Sequence, residues 1–315
     1  MRTDTDGQVR RSFHEKLFGK NKFKYRYAFT GYAMIAPAFL LLTIFVVIPL
    51  VIAIVRSFFD YRSYAEVQQF VGFDNYKLIL GTTSFVHSFR NALLFAAVIV
   101  LVQLLLSFSF AHVLKNCHNR YGIFVRMIIY IPYLISGIAA AIIFLFMTNY
   151  GGGLINGILL AAGLDPIAID MNVTWARVAV IVPTLWLGFG YNSLVMYAGL
   201  INIPKDYYEA ATLDGAGWLI KLAKITLPSM VNYFLLTIVG LLTSSLTMFE
   251  LPFLMTNGGP TESTLTPVLY LFNNYRNVLQ SSSVTIAGAI LVMLIVGALN
   301  AVVFFAVQSK SSQDD

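Results

Sequence analysis

Apolar positions gather in six long runs, near residues 28–55, 92–114, 127–147, 178–200, 230–249 and 284–307, with polar connections between them. A helix needs about 20 apolar residues to cross a hydrocarbon core of roughly 30 Å, and each run reaches that length. Lipid offers no partner for an open strand's backbone, and the runs are too long for barrel strands, so all six are predicted to be helices. The fold class that follows is an all-α integral membrane protein with six transmembrane helices. The first run far exceeds the core of about 7 to 15 residues found in a cleavable leader, and no small-residue cleavage site follows it. It reads as a span.

Composition agrees. The chain is 58% hydrophobic and 11% charged, whereas soluble domains carry about 25% charged residues. An ordinary water-soluble enzyme is excluded. Cys117 is the one cysteine, which rules out a disulfide scaffold and a multi-cysteine metal site. His14, His87, His112 and His118 show no metal-ligand spacing. The net charge of +6 has meaning only by position, because basic residues in a membrane protein report topology. Arg2, Arg10, Arg11, Lys16, Lys20, Lys22, Lys24 and Arg26 face three acids in the tail, which places the N-terminus in the cytoplasm. Six crossings return the C-terminus to the same side. Lys115, Arg120 and Arg126 then fall inside, as do Lys205, Lys221 and Lys224, while the stretch 148–175, with Asp165 and Asp170 and no Lys or Arg, falls outside.

The organisation that follows is a basic cytoplasmic tail over 1–27, a transmembrane domain over 28–308 and a short cytoplasmic tail over 309–315. Three stretches face outward: 58–91, a Gly151–Gly153 lead into the apolar segment Leu154–Ala162, and 252–283. Leu154–Ala162 is too short to span and reads as an interfacial helix. Phe13, Leu17 and Phe18 give the tail a weak apolar period, compatible with an amphipathic helix or with a disordered arm.

Catalytic chemistry is missing from this pattern. No GxxxxGKS/T loop is present, so the chain does not hold ATP in the usual way. Acids inside the spans are few; Glu250, at the expected outer end of the fifth helix, is the exception, and an ionisable group there marks a candidate site. Gln103, Ser107, Ser109 and His112 in the second helix, Pro132 and Gly137 in the third, Pro183, Thr184, Gly188, Gly190 and Asn192 in the fourth, and Thr243, Ser244, Ser245 and Thr247 in the fifth break the apolar runs. Such residues should face protein or water rather than lipid, and they point to a cavity among helices two, four and five.

The inside loop 201–229 predicts a compact helix-turn-helix. Asn202 is placed to cap a first helix with Pro204 in its first turn, Gly215 and Gly217 end it, a second helix runs from Trp218 to Lys224, and Pro228 opens the fifth span. Small residues Ala210 and Ala211 leave one face flat for a partner. Glu209-Ala210-Ala211, three residues, Gly215, nine residues and Ile225-Thr226-Leu227-Pro228 resemble, at every consensus position, the EAA loop of permease subunits of bacterial ABC importers. Phe70-Val-Gly-Phe-Asp-Asn-Tyr76, Leu185-Trp-Leu-Gly188 and Thr256-Asn-Gly-Gly-Pro260 are similar to the carbohydrate branch, most of all the maltose-type and multiple-sugar permeases. The resemblance covers roughly residues 30 to 308. It lacks the extra N-terminal spans and large outer insertion of the maltose transporter's larger subunit.

That resemblance implies the type I ABC importer permease fold and a binding-protein-dependent importer of a sugar or oligosaccharide, located in the bacterial cytoplasmic membrane. It also implies a second permease subunit as heterodimer partner, two copies of a cytoplasmic ATP-binding subunit and an extracytoplasmic sugar-binding protein. ATP and Mg would be bound by the partner ATPase, with no cofactor or catalytic residue in this chain and no nucleic-acid partner. Glu209, Ala210, Ala211, Asp214 and Gly215 would couple to the ATPase. Thr184, Leu187, Gly188, Ser244, Ser245 and Met248 fall at the family's sugar-path positions, with Tyr191, Asn192 and Glu250 as further candidates. Spacing supports part of this: Thr184, Gly188 and Tyr191 lie on one helical face, as do Ser245 and Met248. Two alternatives stay open on the residues alone, an ion-coupled secondary transporter and an ABC importer for a non-sugar solute.

Overall fold

A computed structural model describes residues 30–60, 69–117, 119–276 and 282–311. The basic tail 1–27 with its weak apolar period, and the last residues 312–315, lie outside the described residues. Contacts divide the chain into two units, 1–57 and 58–315, a division that falls inside the 28–308 domain expected from hydropathy.

The described part of the first unit is a single helix, α1, Thr30–Arg56. Its middle turn, Thr43–Val47, widens to π geometry just before Pro49. Proline has no N–H and its ring crowds the carbonyl four residues back, so a wider turn relieves the clash while the helix continues.

The second unit opens with a two-residue antiparallel pair, β1 (Phe59–Asp60) and β2 (Gln69–Phe70), with Phe59 opposite Phe70. Asn75 is buried and donates to the Phe59 carbonyl at 3.0 Å, and the Phe58, Phe73 and Tyr76 rings pack together. The motif Phe70–Tyr76 therefore folds the chain back on itself and starts α2, Asp74–Gly81.

Helix α3, Thr83–Asn116, is the first correction. It begins well ahead of the apolar run that starts near residue 92, and its 34 residues extend about 51 Å. His87, Arg90 and Asn91 hide the helical period from hydropathy, yet Phe85, Ser88, Asn91, Ala92 and Phe95 form a buried stripe.

The third crossing is broken rather than continuous. Helix α4 (Asn119–Tyr130) runs into a 3-10 turn at Ile131–Leu134, and α5 (Gly137–Thr148) leaves at 92°. Pro132 sits in that turn, and Ser136 caps α5 by accepting from the Ala139 N–H at 3.2 Å. The short α6, Leu154–Ala161, follows. Its Asn156 is buried, and its amide donates to the Thr148, Asn149 and Ile167 carbonyls and accepts from the Ile167 N–H.

Helix α7, Val173–Asn202, is the fourth crossing, with Pro183 inside it. After α8 (Lys205–Leu213), the chain forms a second bent pair: α9 (Trp218–Ser229) meets α10 (Val231–Leu246), the helix of the fifth apolar run, at 65°. A π turn at Leu222–Thr226 again precedes a proline, Pro228, which lies inside α9 and does not open the crossing helix. α10 ends at Leu246, short of the expected 249, and Glu250 starts a separate helix, α11 (Glu250–Thr256). Helices α12 (Pro267–Tyr275) and α13 (Ser282–Ser311) complete the unit. Four helices are long and apolar enough to cross a membrane, or six crossings if each bent pair is one span.

Candidate functional site

A cavity of about 470 Å³ opens between three elements of the second unit. Helix α7 contributes Thr184, Leu187, Gly188, Tyr191, Asn192 and Val195, a run with helical spacing of three and four that forms one face. From α10 come Leu236, Thr237, Gly240, Leu241 and Ser244, and from the break between α4 and α5 come Tyr133 and Ile135.

Small residues bring these walls together. A Cβ at Gly190 would run into the Ile129 carbonyl, so α4 packs directly on the backbone of α7. Gln103 of α3 is fully buried beside Gly188. In the amide orientation that satisfies both ends, its nitrogen donates to Leu185 O and its oxygen accepts from Ser107 Oγ and Phe189 N, each at 3.2 Å. This buried amide ties α3 to the middle of α7, where Pro183 has already removed one backbone donor.

The polar groups lining the cavity share one arrangement. Thr184 Oγ1 donates to Val180 O at 2.8 Å, Asn192 Nδ2 to Gly188 O at 2.8 Å, Thr237 Oγ1 to Tyr233 O at 2.9 Å and Ser244 Oγ to Leu241 O at 3.1 Å. Each Thr and Ser proton is committed to its own helix, which leaves those oxygens as acceptors, while the Tyr133 and Tyr191 hydroxyls can both donate and accept. Among the described residues no Asp, Glu, Lys or Arg lines it. Tyr133 and Tyr191 stack with ring centroids 4.8 Å apart and planes 13° from parallel. The cavity thus offers hydrogen-bond acceptors and an aromatic face without a formal charge, which suits a ligand rich in O–H donors.

Of the path residues expected from sequence, Thr184, Leu187, Gly188, Tyr191, Asn192 and Ser244 line this cavity together. Ser245, Met248 and Glu250 do not. Ser245 is fully buried with no hydrogen-bond partner for its Oγ among the described residues. Met248 packs in an apolar cluster with Phe95, Ile99 and Val180. Glu250 is exposed at the first position of α11, its carboxylate lying against Gly137 where a side chain would otherwise be. Tyr133, Thr237 and Gly240 line the cavity although the sequence reading omitted them. Tyr133 had a signal in Pro132 beside it; Gly240 and Thr237 had none beyond being small or polar in an apolar run.

A second feature sits at the far end of α7. Asn202 is the last residue of α7 and donates to the Tyr233 hydroxyl at 2.6 Å, so Pro204, not Asn202, holds the N-cap position of α8. Tyr208 and Thr212 form the inward face of α8: the Tyr208 hydroxyl meets Thr226 Oγ1 at 2.9 Å, Lys115 lies over its ring, and Lys221 Nζ donates to Thr212 Oγ1 at 2.8 Å. The helix ends with Gly215 at φ +75°. The Gly215 N–H reaches Thr212 O and the Ala216 N–H reaches Ala211 O at 2.8 Å, a Schellman cap that needs a left-handed residue. Glu209, Ala210, Asp214 and Gly215 are exposed, and Ala211 is half-buried. Around them Leu213 is 90% exposed, and Tyr207, Trp218, Leu219 and Ile220 are exposed as well. An apolar patch of this kind beside a polar helix face marks an interaction surface.

Residues 116–309 match the model of the family described as binding-protein-dependent transport system inner membrane component. The chain belongs to that family. Among this transport component's relatives, the trehalose/maltose transport system permease protein MalF of Thermococcus litoralis is 30% identical over 81% of this chain and 86% of its own length. The lactose transport system permease protein LacF of Rhizobium radiobacter is 28% identical over 92% of this chain and 98% of its own. The sn-glycerol-3-phosphate transport system permease protein UgpA of Shigella flexneri is 30% identical over 91% and 96%. A solved bacterial ABC transporter involved in import of the acidic polysaccharide alginate superposes with a TM-score of 0.74 at 22% identity, covering 93% of this chain and 99% of that one. This inner-membrane component therefore has the helical fold of an ABC importer permease.

Proposed function

We propose that this chain is the permease subunit of an ATP-driven importer that carries a sugar or oligosaccharide across the bacterial cytoplasmic membrane by alternating access. One observation carries the reading: the two main walls of the cavity, α7 and α10, are joined through α8 and α9, the loop that bears the exposed docking face. A displacement of α8 passes through the Tyr208–Thr226 contact and the Asn202–Tyr233 bond to the ends of both walls. Rigid-body motion of docked elements is a usual way to open a site on alternate sides. In this scheme a cytoplasmic ATPase pair binds ATP and Mg and seats α8 through Glu209, Ala210, Asp214 and the apolar residues around Leu213. A second permease closes the other half of the cavity, and an extracytoplasmic binding protein delivers the sugar. Both termini lie in the cytoplasm, in keeping with the basic tail.

Sugar as cargo follows from the acceptor-rich, uncharged cavity with its stacked tyrosines, and relatives whose names specify trehalose/maltose and lactose support it. An ion-coupled mechanism finds little support, because Glu250 is outside the cavity lining. The test is uptake of labelled sugars by proteoliposomes that hold the complete importer, with ATP on the ATPase side and binding protein on the other. Uptake should require the ATPase and be blocked by vanadate, and Cys117 should react with impermeant thiol reagents from the ATPase side alone. Sugar uptake that persists without the ATPase overturns the proposal.

A further inference from the structure

At the opposite end of α7 from the docking loop lies a separate pocket of about 200 Å³. Arg177 and Asn202 are 25 positions apart on one helix, which separates the two ends by about 38 Å. Three basic side chains line the pocket: His87 and Arg90 from the first turns of α3, and Arg177 from α7. Neither arginine carries an ion pair with a described residue. Arg177 is half-buried and held in place by its Nε, which donates to Ser263 O at 3.2 Å, so its two terminal nitrogens remain for a ligand. Arg90 and His87 are exposed. The one acid of the pocket, Glu262, is held from the other side, where Ser84 Oγ donates to its Oε1 at 2.6 Å.

The floor of this pocket is tied together by hydrogen bonds. Asn91 Nδ2 donates to Glu262 O at 2.6 Å and to Leu265 O at 3.0 Å, Ser263 N–H to Pro260 O at 2.9 Å, and Thr256 and Thr264 share a hydrogen bond of 2.6 Å. Thr261 and Glu262 sit at φ +47° and +57°, a left-handed backbone that persists in such residues only when the surroundings impose it. Arg177, held by its bond to Ser263, and the exposed Arg90 present two guanidinium groups to an anion brought from outside the chain.

We propose that this pocket receives a carboxylate side chain of the extracytoplasmic binding protein, and so sets where and how firmly that protein docks. The proposal rests on the importer reading above, which puts this end of α7 outside. A protein side chain fits better than a sugar acid in transit. The pocket is smaller than the roughly 300 Å³ at which small-molecule sites begin, and it shares no lining residue with the 470 Å³ cavity. Paired arginines also suit docking kinetics, since charges at the edge of an interface act mainly on the rate of encounter and its salt dependence.

The experiment is the ATPase activity of the complete importer in nanodiscs, titrated with its sugar-loaded binding protein, for wild type, Arg90→Gln and Arg90→Glu. Arg90 makes no hydrogen bond or ion pair with a described residue, so its replacement removes no such contact from the fold. Arg90→Glu should raise the half-saturating binding-protein concentration about tenfold, Arg90→Gln by less, with the maximal rate unchanged and both effects shrinking as salt is raised. Unchanged half-saturation in both variants overturns the proposal. So does unchanged half-saturation with selective loss of uptake of an acidic saccharide over a neutral one, which would assign the pocket to the cargo. A wild-type importer that no binding protein stimulates sinks the importer reading and this proposal with it.

Discussion

Gly240→Trp separates the cavity's role as a path from its role in folding. Apart from its chain neighbours and the backbone of its own helix, no described atom lies within 4 Å of the position a Cβ would take on Gly240, and the residue lines the cavity from the middle of α10. The indole side chain adds ten heavy atoms, each taking roughly 15 to 20 Å³ because bonded atoms overlap, well under water's share of about 30 Å³, or about 150 to 200 Å³ in all. Set against a cavity of about 470 Å³, what remains is close to the roughly 300 Å³ of the smallest ligand sites. Folding should not suffer, because replacing a mid-helix glycine improves helix propensity by about 0.5 kcal/mol. Uptake into proteoliposomes should fall at least about tenfold, the loss of 1.4 kcal/mol or more of transition-state access, while thermal stability in detergent is unchanged or higher. Gly297→Trp is the control: its Cβ also meets nothing within 4 Å, but it lies on α13 away from the cavity, and uptake should stay near wild type. A stable Gly240→Trp importer with normal uptake would refute the cavity as the path.

Gly190→Val should destabilise the fold by about 1–3 kcal/mol, read as a lower unfolding temperature, because its Cβ meets the Ile129 backbone carbonyl, which cannot rotate away. At Gly215 the constraint within this chain is conformational, since no atom lies within 4 Å of a Cβ there and φ is +75°; Gly215→Asn should keep coupled ATPase activity, whereas Gly215→Val, with a cost of about 1–2 kcal/mol for the left-handed backbone, should lower it. Tyr133→Ala and Tyr191→Ala should each raise the half-saturating sugar concentration for uptake, and the double variant should fall short of their sum because the rings stack on each other. Ser245→Ala removes a buried hydroxyl without a partner among the described residues, so stability should hold or rise by about 1 kcal/mol with uptake unaltered; a marked loss of uptake would put Ser245 back on the path.

Much of this protein was legible as a string. Runs of apolar residues marked the four long apolar helices and parts of both bent pairs, since a helix in lipid must be apolar for about 20 residues whatever surrounds it. The spacing of Thr184, Gly188 and Tyr191 placed them on one face of α7, and Gly215 marked the end of α8, because both depend on geometry within one helix. Tertiary structure decided the rest. Whether a proline kinks, widens or breaks a helix depends on what receives the freed backbone groups: Pro183 stays inside α7, Pro49 and Pro228 follow π turns, and Pro132 sits at a 92° break. Hydropathy also missed the first turns of α3, where exposed His87 and Arg90 overlie a buried stripe. Ser244 and Ser245 are neighbours of equal chemistry, yet one lines the cavity and the other is sealed in the core. Sequence cannot choose between them, because lipid and protein interior are both apolar and the polar–apolar contrast that orients a helix in water is absent. Only the packing of Gly190 on Ile129, Gln103 on α7 and Tyr133 on Tyr191 sets how the walls turn toward one another.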